Sequence, residues 1–213
     1  MWAPLRVRLA FTSHRLVRDR TVLRSYGHTS TESLTPNVAR LPSTVDVGTR
    51  FEEDTLRCLS RYGIDLRRVG GADDKGVDLR GRWRLPKEGG VDPALSSPGH
   101  HGGFLEFPII VQCKKERTKL GPKYFRELEG TLARESPNTI ALLASSEGFS
   151  TKAVDLLFAS RVPLALAVIN SDRICVRLAL NRALQELVPG LMVYKNQSNE
   201  LTVWYRNKSL TSI

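Results

Sequence analysis

Two short apolar runs with polar residues set into them constrain the fold of this 213-residue chain more than any other feature. The first is Val77-Asp78-Leu79, which follows the glycine-rich segment 70–76. The second is Phe107-Pro108-Ile109-Ile110-Val111-Gln112-Cys113-Lys114. Side chains alternate faces along a strand, so Gln112 and Lys114 share one face while Val111 and Cys113 share the other. If the two runs are neighbouring strands, an acid, an amide and an amine converge at one place, a set suited to metal-dependent cutting of a phosphodiester. Taken singly, each residue has a plainer use, since an aspartate after a glycine turn suits a sheet edge and alternating polar residues suit a solvated strand face.

The rest of the chain supplies a frame for such a pair of strands. Ser43-Thr44-Val45-Asp46 is a helix-capping sequence, and Val47, Phe51, Cys58, Leu59 and Tyr62 follow at helical spacing until Gly63 ends the helix. Residues 64–69 read as a strand, 70–76 as a tight turn, 77–85 as the second strand and 107–114 as the central one. Residues 86–105, rich in Gly, Pro and Ser, read as a loop insertion at a hairpin tip. Pro122 opens a helix to residue 134 with Phe125, Leu128 and Leu132 in line. A strand over 139–144, a helix over 151–159 capped by Ser150, and a strand over 163–169 follow. The expected fold is α/β, a mixed central sheet flanked by helices in αβββαβαβ order, with its core at 44–170. Residues 171–213 form a small α+β extension, in which 173–178 can lengthen the sheet, 181–187 is a short helix, and 191–195 with 201–205 is a hairpin.

This order of parts resembles the Mrr-like branch of the PD-(D/E)xK superfamily, whose core is restriction-endonuclease-like. Gly48-Thr49-Arg50-Phe51-Glu52 is similar to that branch's Gly-x-x-Phe-Glu opening helix, and Gln112-Cys113-Lys114 to its form with Gln at the second acidic position. Gly148-Phe149-Ser150-Thr151-Lys152-Ala153 is similar to its Gly-Phe-Ser-x-x-Ala helix start. The resemblance covers roughly residues 46 to 170. It implies a catalytic set of Glu52, Asp78, Gln112 and Lys114. It also implies Mg²⁺, or Mn²⁺, held by Asp78, the Gln112 side-chain oxygen, the Cys113 carbonyl and Glu52, with Asp74 in the outer shell. A hard cation held by oxygens activates water and relieves phosphate charge, and Mg²⁺ needs only one or two protein carboxylates. Lys114 would orient or deprotonate the attacking water, or neutralise the charge that develops.

Charge divides the chain. Of the net +10, residues 1–40 hold seven Arg against two acids, and residues 41–213 hold 25 Lys and Arg against 20 acids. Residues 1–27 interleave Arg6, Arg8, Arg15, Arg18, Arg20 and Arg24 with apolar residues, the profile of a mitochondrial transit peptide directed to the matrix. Residues 28–43 read as linker. With this segment included, the chain resembles the fungal mitochondrial family called required for respiratory growth protein 7. Lys115, Arg117, Lys119 and Lys123 after the central strand, with Arg67, Arg68, Lys75, Arg80, Arg82 and Arg84 near the acid turn, are the expected DNA phosphate contacts. The longest apolar run, 162–169, falls far short of the ~20 residues that span a bilayer. Cys58, Cys113 and Cys175 are odd in number and widely spaced, which suits core packing in a reducing compartment. A homodimer stays open. So do two functions: a Mg²⁺-dependent endodeoxyribonuclease serving mitochondrial genome maintenance or expression, or a nuclease fold without catalysis that binds nucleic acid or a partner. Gln112 speaks for the second, because it leaves one acid between the two core strands.

Overall fold

Strand alternation sorts the apolar residues of this chain onto the two faces of one sheet, and each face is covered by a different set of helices. The computed structural model describes residues 43–69, 76–87 and 103–211. The expected transit peptide, the linker up to residue 42, Asp74 and Lys75 of the acid turn, and residues 88–102 of the insertion lie outside the described residues.

In chain order the elements are α1 (Thr44–Ser60), β1 (Ile64–Arg68), β2 (Leu79–Pro86), β3 (Phe104–Lys114), α2 (Pro122–Leu132), β4 (Ile140–Ser145), α3 (Thr151–Ala159) and β5 (Leu164–Ile169). This is the αβββαβαβ order expected of a restriction-endonuclease-like core. Beyond it come β6 (Cys175–Leu180), α4 (Arg182–Leu187), β7 (Leu191–Lys195), β8 (Leu201–Tyr205) and β9 (Lys208–Ser209). β1 to β6 form one mixed sheet in sequential order, and β7 to β9 form a small second sheet. β3 pairs antiparallel with β2 and parallel with β4, so the sheet changes sense at its central strand.

The alternation is explicit on the central strands. Ile109, Val111, Leu142, Ala144, Ala165 and Ala167 pack with Phe51, Cys58 and Leu59 of α1. Ile110, Ala141, Leu143, Leu164 and Leu166 pack with Phe125 and Leu128 of α2 and with Ala153 and Leu157 of α3. Burial of each large side chain stabilises by roughly 1.5–3 kcal/mol, and Trp83, Phe125, Leu59, Ile110 and Leu142 are among those fully enclosed. Trp83 also satisfies its indole N–H on the Tyr62 carbonyl at 2.9 Å, so its enclosure leaves no unmatched donor.

Three boundaries move. The insertion drawn at 86–105 is narrower, because Pro86 and Phe104 pair within the β2–β3 hairpin and the Lys87 N–H donates to the Gly103 carbonyl at 2.9 Å. The second strand begins at Leu79, one residue after Asp78. The core also runs past residue 170: β6 is the sixth strand of the main sheet, paired antiparallel with β5, and its Cys175, Leu178 and Leu180 lie in the α1-side core. β9, a two-residue strand, carries no pattern that a sequence reading could find.

Candidate active site

The site expected from sequence gathers where β3 outruns β2. Pairing of β2 with β3 starts at Leu79 and Val111, whereas β3 stays paired with β4 as far as Lys114 and Ser145. Gln112, Cys113 and Lys114 therefore have a strand on one side only. In open sheets of this kind, ligands bind beyond the carboxyl ends of strands where the topology switches.

Asp78 fills the gap. Its N–H donates to the Val111 carbonyl and its carbonyl accepts from Val69, both at 3.0 Å, so its backbone is tied to both neighbouring strands. Its carboxylate Oδ2 accepts the Cys113 N–H at 2.6 Å, a short bond to a charged acceptor. Gln112 is buried at 5% exposure, and its Oε1 has no hydrogen-bond partner among the described residues. Its Nε2 lies against Gly76, which has φ +82°, and a Cβ on that glycine would stand 3.0 Å from it. A glycine is thus required by the backbone and by the amide together. Lys114, half-buried, lies two residues on from Gln112 and shares its face.

Cys113 points the other way, toward α1, and packs against the α1-side core. Burial of the thiol drives its pKa well up, and the Asp78 and Glu52 carboxylates add to the rise, partly offset by the buried Thr55 hydroxyl of α1 beside it and by Lys114. The thiol therefore stays neutral.

Glu52 is held differently from the expectation that it serves a metal. Its Oε2 accepts from Arg68 Nε at 2.8 Å, and Arg68 Nη2 reaches Thr49 Oγ1 at 3.4 Å. It also stands on α1, which covers the sheet face opposite Gln112. Among the described residues, no three of His, Cys, Asp and Glu cluster as a metal site. The residues at the end of β3 nevertheless fit a hard cation of low carboxylate demand. Asp78 offers the charge, the unpartnered Gln112 Oε1 offers a neutral oxygen, and the Cys113 carbonyl lies on the same strand end.

The basic residues divide. Lys115, Arg117, Lys119 and Lys123 are all exposed on the segment that joins β3 to α2 and on the first turn of α2. Lys115 Nζ stands 5.6 Å from the centroid of the Phe51 ring, and Lys123 lies over its neighbour Tyr124. That segment is pinned at its far end, where Leu120 N–H donates to Gly148 and Leu120 accepts from Ser150, both at 2.9 Å. The Gly-Phe-Ser motif is what pins it: Gly148 takes φ +82°, Phe149 tilts against Phe125 at 5.7 Å, and Ser150 caps α3. Arg80 departs from the expected free phosphate contact, because both oxygens of Glu135 hold its guanidinium at 2.7 Å. Arg82 and Arg84 likewise pair with Glu106. The link that sequence reasoning missed is Glu52 with Arg68, since only the packing of α1 on β1 brings them together across 16 positions.

Comparison with known proteins places this arrangement in a lineage. The family profile described as required for respiratory growth protein 7 matches residues 43–98 and 91–213. An uncharacterised mitochondrial protein of Schizosaccharomyces pombe is 32% identical over 130 residues, covering 61% of this chain and 47% of its own length. The required for respiratory growth protein 7 of Zygosaccharomyces rouxii, also mitochondrial, is 30% identical over 152 residues, covering 57% of this chain and 63% of its own. The chain thus spans about half to under two thirds of the lengths of these relatives. Among solved structures, the MspJI restriction endonuclease in complex with a 27-mer oligonucleotide is 15% identical, with a TM-score of 0.38 over 60% of this chain and 27% of that one. No described helix is long and apolar enough to cross a membrane. This chain is a mitochondrial protein and belongs to the required for respiratory growth protein 7 family.

Proposed function

We propose that the protein hydrolyses phosphodiester bonds of DNA with the aid of Mg²⁺ or Mn²⁺, as a member of the Mrr-like nucleases, in support of mitochondrial genome maintenance or expression. The observation that carries this reading is the buried Gln112 Oε1, without a partner among the described residues, on the strand end whose Cys113 N–H the Asp78 carboxylate accepts. A buried carbonyl oxygen without a donor costs roughly 1–3 kcal/mol, and a cation ligated there would remove that cost. Asp78, Gln112 Oε1 and the Cys113 carbonyl would hold the ion, which supplies a water of lowered pKa and charge relief on the phosphate. Lys114 would orient the attacking water or steady the charge developing on the phosphate oxygens. Asp78 keeps Cys113, and with it the end of β3, in place through the 2.6 Å bond to its N–H. The exposed Lys115, Arg117, Lys119 and Lys123 guide the backbone of the substrate toward the strand end.

A second reading, a nuclease fold that binds nucleic acid or a partner without cutting, draws support from the pairing of Glu52 with Arg68 and from the lack of a three-acid cluster among the described residues. The test uses the full chain on plasmid, single-stranded and branched DNA with Mg²⁺ and with Mn²⁺. Cleavage that Lys114→Ala removes while DNA binding persists is the expected result. Binding without cleavage on every topology would favour the second reading.

A further inference from the structure

We infer that Glu52 is a positioning residue for Arg68, and that Arg68 with Lys115 forms a second phosphate contact on the α1 side of the β3 end, across the strand from Lys114. The inference rests on the reading of this chain as a nucleic-acid phosphodiesterase, and it fixes the substrate class as a polynucleotide, with phosphates on both sides of the strand end. A mononucleotide reaches one side only.

Glu52 and Thr49 stand one helical turn apart on α1 and take Arg68 Nε and Nη2 at 2.8 and 3.4 Å. An arginine carries five N–H donors in a planar fork, so two contacts from one side fix the plane and, among the described residues, leave Nη1 and part of Nη2 unused. Arg68 remains 41% exposed and Glu52 only 16% exposed, so the acid is the inner, fixed partner and the guanidinium the outer one. Arg68 ends β1, and the next residue, Val69, donates to the Asp78 carbonyl. The end of β1 that carries Arg68 is therefore tied to Asp78, and its guanidinium lies against α1 on that side. Lys115, the first residue past β3, stands over Phe51, the neighbour of Glu52, and has no ion-pair partner among the described residues. Around the strand end, among the described residues, the cations Arg68, Lys114, Lys115, Arg117 and Lys119 outnumber the carboxylates Glu52, Asp78 and Glu116, an excess suited to an anionic chain.

Glu52 is a poor choice for metal ligand on the same geometry. Ligation would have to draw its Oε2 off the guanidinium, and the β3 backbone separates its face of the sheet from that of Gln112. A carboxylate that holds Nε by one charge-assisted bond leaves the end of the fork to a phosphate, the anion that arginine serves best.

The experiment measures binding of the full chain to a duplex oligonucleotide by fluorescence anisotropy across a salt series, and the Mg²⁺-induced rise in Tm without DNA. Wild type is compared with Arg68→Ala, Arg68→Lys, Glu52→Gln and the double variant Arg68→Ala/Glu52→Gln. Arg68→Ala should weaken binding roughly five- to tenfold at ~0.1 M salt and lower the salt slope by about one. Glu52→Gln should lose about as much, the double variant no more than Arg68→Ala, and Arg68→Lys should keep the slope while losing part of the affinity. All should retain the Mg²⁺-induced rise in Tm. If Glu52→Gln abolishes that rise, Glu52 is a ligand and the inference is overturned. An unchanged salt slope in Arg68→Ala overturns it alone, whereas a wild type that binds no nucleic acid overturns the proposed function with it. Should the Glu52 variant fail to fold, the contrast between Arg68→Ala and Arg68→Lys decides.

Discussion

Asp78 serves the sheet before it serves any chemistry. Its carboxylate satisfies the Cys113 N–H, which β2 ends too early to reach. Removing the side chain therefore confounds two effects, and the informative substitution is the one that keeps the acceptor. Asp78→Ala is expected to lose about 1–3 kcal/mol without any metal, from the donor left unsatisfied. Asp78→Asn should lose much less, yet should no longer gain Tm from Mg²⁺. Equal loss of intrinsic stability in the two variants would speak against the hydrogen bond as the reason. Gln112→Glu asks the complementary question. A carboxylate in that buried position beside Asp78 resists ionisation, so the variant should be less stable than wild type in chelator and more responsive to Mg²⁺. Alternation alone put Gln112 and Lys114 on one face and Cys113 on the other, where it meets α1, whereas the meeting of Asp78 with that strand depends on the two runs being neighbours, which alternation does not report. What alternation could not give was the partner of Glu52, which is set by how α1 lies across β1.

Helices and turns were legible where a local residue dictates them. Ser43 caps α1 and forms the reciprocal capping box with Asp46, as the spacing predicts. The hydrogen bonds from Ser43 lower the pKa of Asp46 below its ordinary 3.8. Because that value is depressed on folding, the contribution is present above the unfolded value and is lost as the pH falls through the folded one. Ser43→Ala should lower the melting temperature at neutral pH, and the gap between variant and wild type should narrow in acid. A gap in melting temperature that stays constant down to pH 3 would show that Asp46 takes no part. Two glycines separate strain from function in the same way. Gly148 and Gly76 both have φ +82°, but a Cβ at Gly148 meets only Val168 at 3.7 Å while one at Gly76 meets the Gln112 amide at 3.0 Å. Each change to Ala should cost about 1–2 kcal/mol of backbone strain, and only Gly76→Ala should also alter the response to Mg²⁺. Element boundaries were less legible. Asp78 lies just outside β2 because a strand is defined by pairing with its neighbour, which hydropathy does not report.

The border drawn at residue 170 reflects how a sequence reading treats a change of pattern. The β-α-β alternation of the core stops there, and although 173–178 can lengthen the sheet, the short helix and the hairpin that follow read as an extension of the core. The packing joins them instead. β6 pairs along β5 from Ala165 with Leu180 to Ile169 with Cys175 and completes the main sheet. Leu178, Leu184, Val188, Leu191, Val203 and Leu210 lie in the same buried cluster as Phe51, Trp83 and Val111. Cys58 and Cys175 lie in one buried cluster, and Arg173 pairs with Asp54 at 3.2 Å, so the helix that carries Glu52 rests on residues beyond the border. At roughly 1.5–3 kcal/mol for each large apolar side chain, removing residues 171–213 forfeits on the order of 10 kcal/mol or more, comparable to the ~5–15 kcal/mol by which domains of this size are stable. It also bares β5 as a long apolar edge. A chain ending at residue 170 should therefore aggregate or melt without a cooperative transition, while the full chain melts in a single step. A soluble 1–170 fragment with a sharp melt and an intact Mg²⁺ response would restore the border at 170 and make the C-terminal segment an appendage.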